Sequence, residues 1–186
     1  MRIRPLAVAL CLATLAPVSA GAATMVLGGG QAQTCYDEAK AGRATEQGLN
    51  VCTGALEGEP LSRVDRAATF VNRSVIQLQR RNGKAALADL DSAQRLAPDL
   101  GDVYVNRGAA LFLLGRIDEA ETALNRGIEL GSKQPQDAHF NRAITREARG
   151  DLKGAYRDYV EAARLAPDWA APKTELARFS VSRPGQ

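Results

Sequence analysis

This chain has one histidine, three cysteines and one tryptophan, and aromatics make up only 5% of it. A lone histidine, His139, cannot complete the usual ligand set of a zinc site. The sequence holds no Ser-His-Asp set, no P-loop and no glycine-rich dinucleotide fingerprint. Acidic residues are frequent, but Asp118-Glu119 and Asp89/Asp91 fall where solvated helix faces are expected. A large excess of one charge is also missing: the formal net charge is +3, and Arg2 and Arg4 account for two of those positives. A balance that small gives no electrostatic case for nucleic acid or anionic lipid. Beyond the N-terminal end, no run is apolar for long enough to span a membrane. The expectation is therefore no catalytic residues, no metal, no cofactor and no nucleic-acid partner.

The N-terminal end reads as an address label. Arg2 and Arg4 give a positive start, residues 6–16 are uncharged and apolar, and Pro17 breaks the run. Small residues follow at Val18-Ser19-Ala20 and Ala20-Gly21-Ala22, the order of a secretory signal peptide. Residues 1–22 are assigned to it, with cleavage after Ala20 or Ala22. The competing reading is an uncleaved anchor, since apolar character continues through Val26 and Leu27. A spanning helix needs about 20 good apolar residues, and Pro17 with the Gly/Ala-rich stretch makes this a poor one. Cys11 follows bulky Leu10 and does not fit a lipid-attachment pattern; it leaves with the leader. A periplasmic or secreted chain without stable membrane insertion is expected.

Two cysteines then remain, Cys35 and Cys52, and an even pair in an exported chain reads as a disulfide. The closed loop would contribute roughly 3 kcal/mol in the chain-entropy picture.

Repetition decides the fold. Val71-Asn72-Arg73, Val105-Asn106-Arg107 and Phe140-Asn141-Arg142 align at offsets of 34 and 35, with Pro135 as the extra residue. Downstream, Ala86, Ala120 and Ala155 fall at matching places, followed by Ala93, Gly127 and Ala162, then Leu96, Leu130 and Leu165. Pro98 and Pro167 close the first and third units, with Ser132 in the second; the proline ring cannot continue a helix.

On these residues the stretch from Ala67 to Trp169 resembles the tetratricopeptide repeat family. The family's small residue in the first helix, turn glycine and small residue in the second helix match Gly108, Gly115 and Ala120, then Ala143, Gly150 and Ala155. The first unit departs, with Ser74, Arg81 and Ala86, and its glycine two places on at Gly83. That shift predicts a first helix lengthened by a residue or two and a tighter turn. Phe70, Tyr104 and His139 hold the family's early aromatic position, so half-buried packing is expected of His139.

The resemblance implies an all-α solenoid, a right-handed superhelix of about eight helices with a groove lined by the first helices. Small residues let the two helices of a hairpin approach, and stacking neighbours buries the faces a lone hairpin cannot. The expected organisation is a flexible lead-in at 23–33, carrying Gly28-Gly29-Gly30, and a disulfide-linked capping hairpin at 34–60. Three repeats follow at 67–100, 101–134 and 136–169, then a closing helix at 170–180 and a tail at 181–186. Ser62 with Asp65 reads as a capping box.

Asn72, Asn106 and Asn141 are the candidate partner-binding residues. They share one position on first helices, and an amide both donates and accepts, so a row of them can bond the backbone of an extended peptide. Support of neighbour packing is the competing role. Arg73 and Arg142 each have an Asp sixteen residues on, Asp89 and Asp158, which fits an ion pair within the hairpin. Arg107 has Ala123 there, which makes it the arginine expected to be freest for a partner. A C-terminal carboxylate clamp is not expected, because its asparagine place holds Val75, Ala109 and Ile144.

The expected function is a non-catalytic adaptor holding a protein or peptide segment in the concave groove. The alternative is a structural subunit docked permanently into a cell-envelope complex through its convex face or caps, with Phe112 and Leu113 as part of an apolar patch. Self-association through the stack ends is weaker, since both ends read as capped. The oligomeric state is not legible.

Overall fold

The computed structural model describes residues 2–5, 23–26 and 30–182. Among them are nine helices, one more than the eight expected: α1 (Gln31–Lys40), α2 (Glu46–Gly58), α3 (Arg63–Gln79), α4 (Gly83–Leu96), α5 (Gly101–Leu113), α6 (Ile117–Glu129), α7 (Pro135–Ala148), α8 (Leu152–Leu165) and α9 (Ala170–Leu176). Hairpins α3–α4, α5–α6 and α7–α8 are the three repeats, between the α1–α2 hairpin and α9. The all-α solenoid carries one addition, a two-stranded antiparallel pair of β1 (Arg2–Pro5) and β2 (Phe179–Ser182). Residues 179–182 therefore form a strand across the end of the expected closing helix (170–180) and the first two residues of the expected tail; the rest of the tail, 183–186, lies outside the described residues. Most of the leader, residues 6–22, and Cys11 with it lie outside the described residues.

Local chemistry sets the helix limits. The Ser62 hydroxyl accepts from the Asp65 N–H at 3.1 Å and donates to its carboxylate at 2.6 Å, capping α3. Thr45 and Asp151 cap α2 and α8 by accepting from the Gly48 and Gly154 N–H groups. Pro135 is the first residue of α7, where its missing N–H costs nothing. Within the second hairpin Gly108 is required by contact: a Cβ there would lie 2.4 Å from Leu124 Cγ and 3.1 Å from the Ala120 carbonyl. The crossing of α5 and α6 tolerates no side chain at that place.

The first repeat's turn corrects the expectation drawn from its shifted glycine. Arg81 itself takes the left-handed conformation, φ 59°, at the place of Gly115 (φ 73°) and Gly150 (φ 87°). The turn is no tighter than its counterparts. The extra length of α3, 17 residues against 13 in α5 and 14 in α7, is added at its start. There Arg63 reaches the end of its own hairpin, donating to the Leu96 carbonyl at 2.8 Å.

First helices touch one another in sequence, α1 to α3, α3 to α5 and α5 to α7, while among the described residues second helices make no comparable contact with each other. That asymmetry curves the array towards the first-helix side. The Cys35–Cys52 disulfide joins α1 to α2 across 4.8 Å between Cα atoms, and both cysteines are buried. At the other end Phe140 packs on Tyr159 and Trp169, with ring centroids 5.6 and 4.7 Å away. Tyr159 donates to Glu147 at 3.0 Å; burial, then the Glu147 charge, push its hydroxyl upward, so it stays a donor.

Candidate protein-binding groove

The three asparagines lie where the repeat offsets put them, on α3, α5 and α7, and all are buried. What buries Asn72 is the chain itself. Its side-chain oxygen accepts from the Thr24 N–H at 2.8 Å, and its Nδ2 donates to the Thr24 carbonyl at 2.9 Å. Both backbone groups of one residue are satisfied by one amide, as a neighbouring strand would satisfy them. Residues 23–26, read from the sequence as flexible lead-in, thus pack against the first helices, and α1 begins within the rest of that stretch, at Gln31. Ala23 sits in a cluster with Val75 and Ile76 of α3, and Val26 in one with Ala32, Ala55 and Ala68.

A second residue that holds this segment, missed in the sequence, is Asp102. Its Oδ2 accepts from the Thr24 hydroxyl at 3.2 Å. Its Oδ1 accepts from Ser132 Oγ at 2.6 Å and from the Lys133 N–H at 3.0 Å, which fixes the carboxylate to the turn ending its own repeat. The signal was present: Asp102 and Asp137 stand four residues before Asn106 and Asn141, one helical turn away on the same face.

The arginines behave as hairpin staples. Arg73 makes two bonds to Asp89, 3.0 and 2.6 Å, and one to Thr53 of α2. Arg142 does likewise with Asp158, 2.9 and 2.7 Å, and with Asn125 of α6. Asp158 also receives Arg146 at 2.8 Å and His139 at 3.2 Å, which places the half-buried histidine in an ion network. Burial would raise the Asp158 carboxyl; the hydrogen bonds from His139 and Arg142 and the nearby positive charges outweigh it and hold it below the ordinary aspartate value. Arg107 is not free. It reaches back to Asp91 and Gln94 of α4, joining the second hairpin to the first. It also lines a cleft of about 680 Å³ between α4, α5 and α6, with Tyr104, Thr122 and Arg126, on the side of the second helices.

Phe112, expected in an apolar docking patch, is buried, and Leu113 is half-covered. Among the described residues the exposed large apolar side chains are Met25, Val64 and Val160. Met25 and Val64 flank a 190 Å³ hollow beside the groove segment, lined also by Ala97, Leu100 and Lys133. No group of three or more His, Cys, Asp or Glu suited to a metal occurs among the described residues, and no described helix is long and apolar enough to cross a membrane.

Stacked hairpins, small residues at the crossings and a groove lined by first helices define a helical-repeat solenoid of the tetratricopeptide fold. Solved structures agree. The thermophilic TPR protein TTC0263 of Thermus thermophilus matches with a TM-score of 0.65 at 20% identity, over 79% of this chain and 78% of that one. MamA matches at 0.59 and 16% identity, over 76% and 80%. The Arabidopsis OM64 TPR domain matches at 0.58 and 20% identity, over 63% and 96%. No family model matches the sequence. In sequence the chain is 31% identical over 97 residues to the ER protein translocation subcomplex subunit sec67 of Schizosaccharomyces pombe, 51% of this chain and 50% of that protein. The chain thus spans about half the length of this curated relative.

Proposed function

We propose that this protein is an exported, non-catalytic adaptor whose concave groove holds an extended segment of a partner protein through backbone hydrogen bonds to Asn72, Asn106 and Asn141. The observation that carries this reading is the Asn72 amide bonding both backbone groups of Thr24. A contact of that kind uses groups every residue but proline has, so it selects extended conformation before sequence. Export rests on the leader pattern at residues 1–22. Its removal would take away β1 and leave β2 at the chain end without that neighbour.

The test is an affinity pull-down from an envelope extract with the mature chain beside a triple variant, Asn72→Ala, Asn106→Ala and Asn141→Ala. Each lost amide contact is worth about 1 kcal/mol, so partner affinity should fall by roughly a hundredfold while helicity by circular dichroism is kept. A second reading takes its support from the relative, whose name makes it a subunit of a translocation subcomplex. In that reading the chain is a structural subunit docked permanently into a cell-envelope complex through its convex face or caps, and a partner held equally by both proteins would favour it.

A further inference from the structure

We infer that residues 23–26 are a built-in competitor for the groove, and that the partner segment resembles them: extended, uncharged, with a small residue, then threonine or serine, a larger apolar residue, and a branched aliphatic. This rests on the groove reading above and adds to it the sequence that the groove selects and the contact that regulates it.

The segment is held as a ligand is held. Asn72 reads its backbone, and Asp102 reads the Thr24 hydroxyl with an oxygen whose partner atom is already committed to Ser132 and Lys133. A valine at the Thr24 place would leave that Asp102 oxygen without its donor, which is how a buried acceptor discriminates against an isostere. Ala23 and Val26 are buried at 8% and 3% exposure, Ala23 among Val75 and Ile76 and Val26 among Ala32, Ala55 and Ala68, so a small and a branched side chain suit those places. Met25 between them is 57% exposed and leaves the hollow against Val64, Ala97 and Leu100 largely unfilled.

That hollow is why the contact can work as a switch. A partner with a larger apolar side chain at the Met25 place would bury more surface than the chain's own segment does, so exchange is favourable. Until then the tethered segment competes at high effective concentration, and a partner's apparent affinity is reduced by the fraction of grooves that are filled.

The experiment measures fluorescence anisotropy of a labelled peptide with the sequence of residues 22–27. It is titrated with the full chain, with Thr24→Pro, which removes the N–H that Asn72 accepts, and with Thr24→Pro combined with Asn72→Ala. The peptide should bind the Thr24→Pro chain roughly tenfold tighter than the unaltered chain. Adding Asn72→Ala should remove the gain. Equal affinity for the unaltered and Thr24→Pro chains would overturn the proposal, and so would indifference to Asn72→Ala.

Amide exchange gives an independent reading. The Thr24 N–H should exchange slowly in the unaltered chain and rapidly in Asn72→Ala; rapid exchange in both would overturn occupancy of the groove by the chain itself. If no chain binds the peptide while the triple asparagine variant still loses its partner, this inference fails and the groove reading stands.

Discussion

The first and third repeats share one frame and are secured by different means. In both, an arginine follows the groove asparagine and bonds an aspartate sixteen residues on, Arg73 to Asp89 and Arg142 to Asp158. Asp89 receives that arginine, whereas Asp158 gathers His139 and Arg146 as well, and Arg146 carries the network to Glu121 of the preceding repeat. Around Asp158 the third repeat adds the Phe140, Tyr159 and Trp169 rings, while the first adjoins a hairpin closed by a disulfide. The repeat frame sets where helices cross; what staples them depends on which end of the stack is near. The third repeat, whose neighbour is a seven-residue helix, leans on charge and rings. The first has a covalently closed neighbour, whose Ala32 and Ala55 help to seat Val26 of the groove segment.

The largest expected effect separates the two staples. Removing the shared carboxylate takes the ion pair from Arg142 and leaves Arg146 with Glu121, so Asp158→Asn should cost about 3 kcal/mol in chemical denaturation. Asp89→Asn, which takes the ion pair from Arg73 and leaves its bond to Thr53, should cost about half of that. Equal costs would show that the extra partners of Asp158 add nothing. The same residue fixes a pH dependence. Its folded-state carboxyl lies below the ordinary value, so the folded protein binds fewer protons there than the unfolded chain does. Its contribution is thus fully present above about pH 4 and lost as pH falls through the lowered value. Stability of Asp158→Asn should decline less steeply over that acid window than stability of the unaltered protein.

Reducing the Cys35–Cys52 bond should lower stability by roughly 3 kcal/mol, and locally. In a stack whose units touch only their neighbours, loss at one end is damped along the array. Amide exchange should therefore quicken in α1 and α2 and stay near its original rate in α7 and α8. A uniform rise would show that the capping hairpin governs the whole array. Thiols already free before reduction would remove the bond from the account.

Whatever depended on repetition was legible in the sequence, because one offset relates every unit to the others. The hairpins, the asparagine row and the Arg73 and Arg142 pairs all follow from it. Arg107 escaped because its partner, Asp91, lies sixteen residues back in the preceding repeat, and an offset counted forward within one unit does not reach it. Phe112 escaped because an aromatic one residue off the expected stripe can turn to either side of a helix, and here it faces the core with Phe140. Residues 23–26 carry no period to read: four small or apolar residues shortly before a glycine run look like a linker until the Thr24 backbone is matched with Asn72.

The smallest effect, and the only gain in stability, concerns the turn in which the two repeats differ. Gly150 stands at φ 87° with open space where a Cβ would be, so the glycine there answers to conformation alone. Arg81, exposed and at φ 59°, holds the same turn with a side chain. The left-handed region costs an ordinary residue about 1–2 kcal/mol. Glycine removes that strain but gives the unfolded chain about 0.4–1 kcal/mol of added freedom. Arg81→Gly should therefore stabilise the protein by about 0.5–1 kcal/mol, and Gly150→Ala should destabilise it by a similar amount, both read from denaturation midpoints at unchanged slope. A loss on Arg81→Gly would mean that the Arg81 side chain holds the first turn by a contact that outweighs its strain, and the two turns would then be equivalent in shape but not in cause.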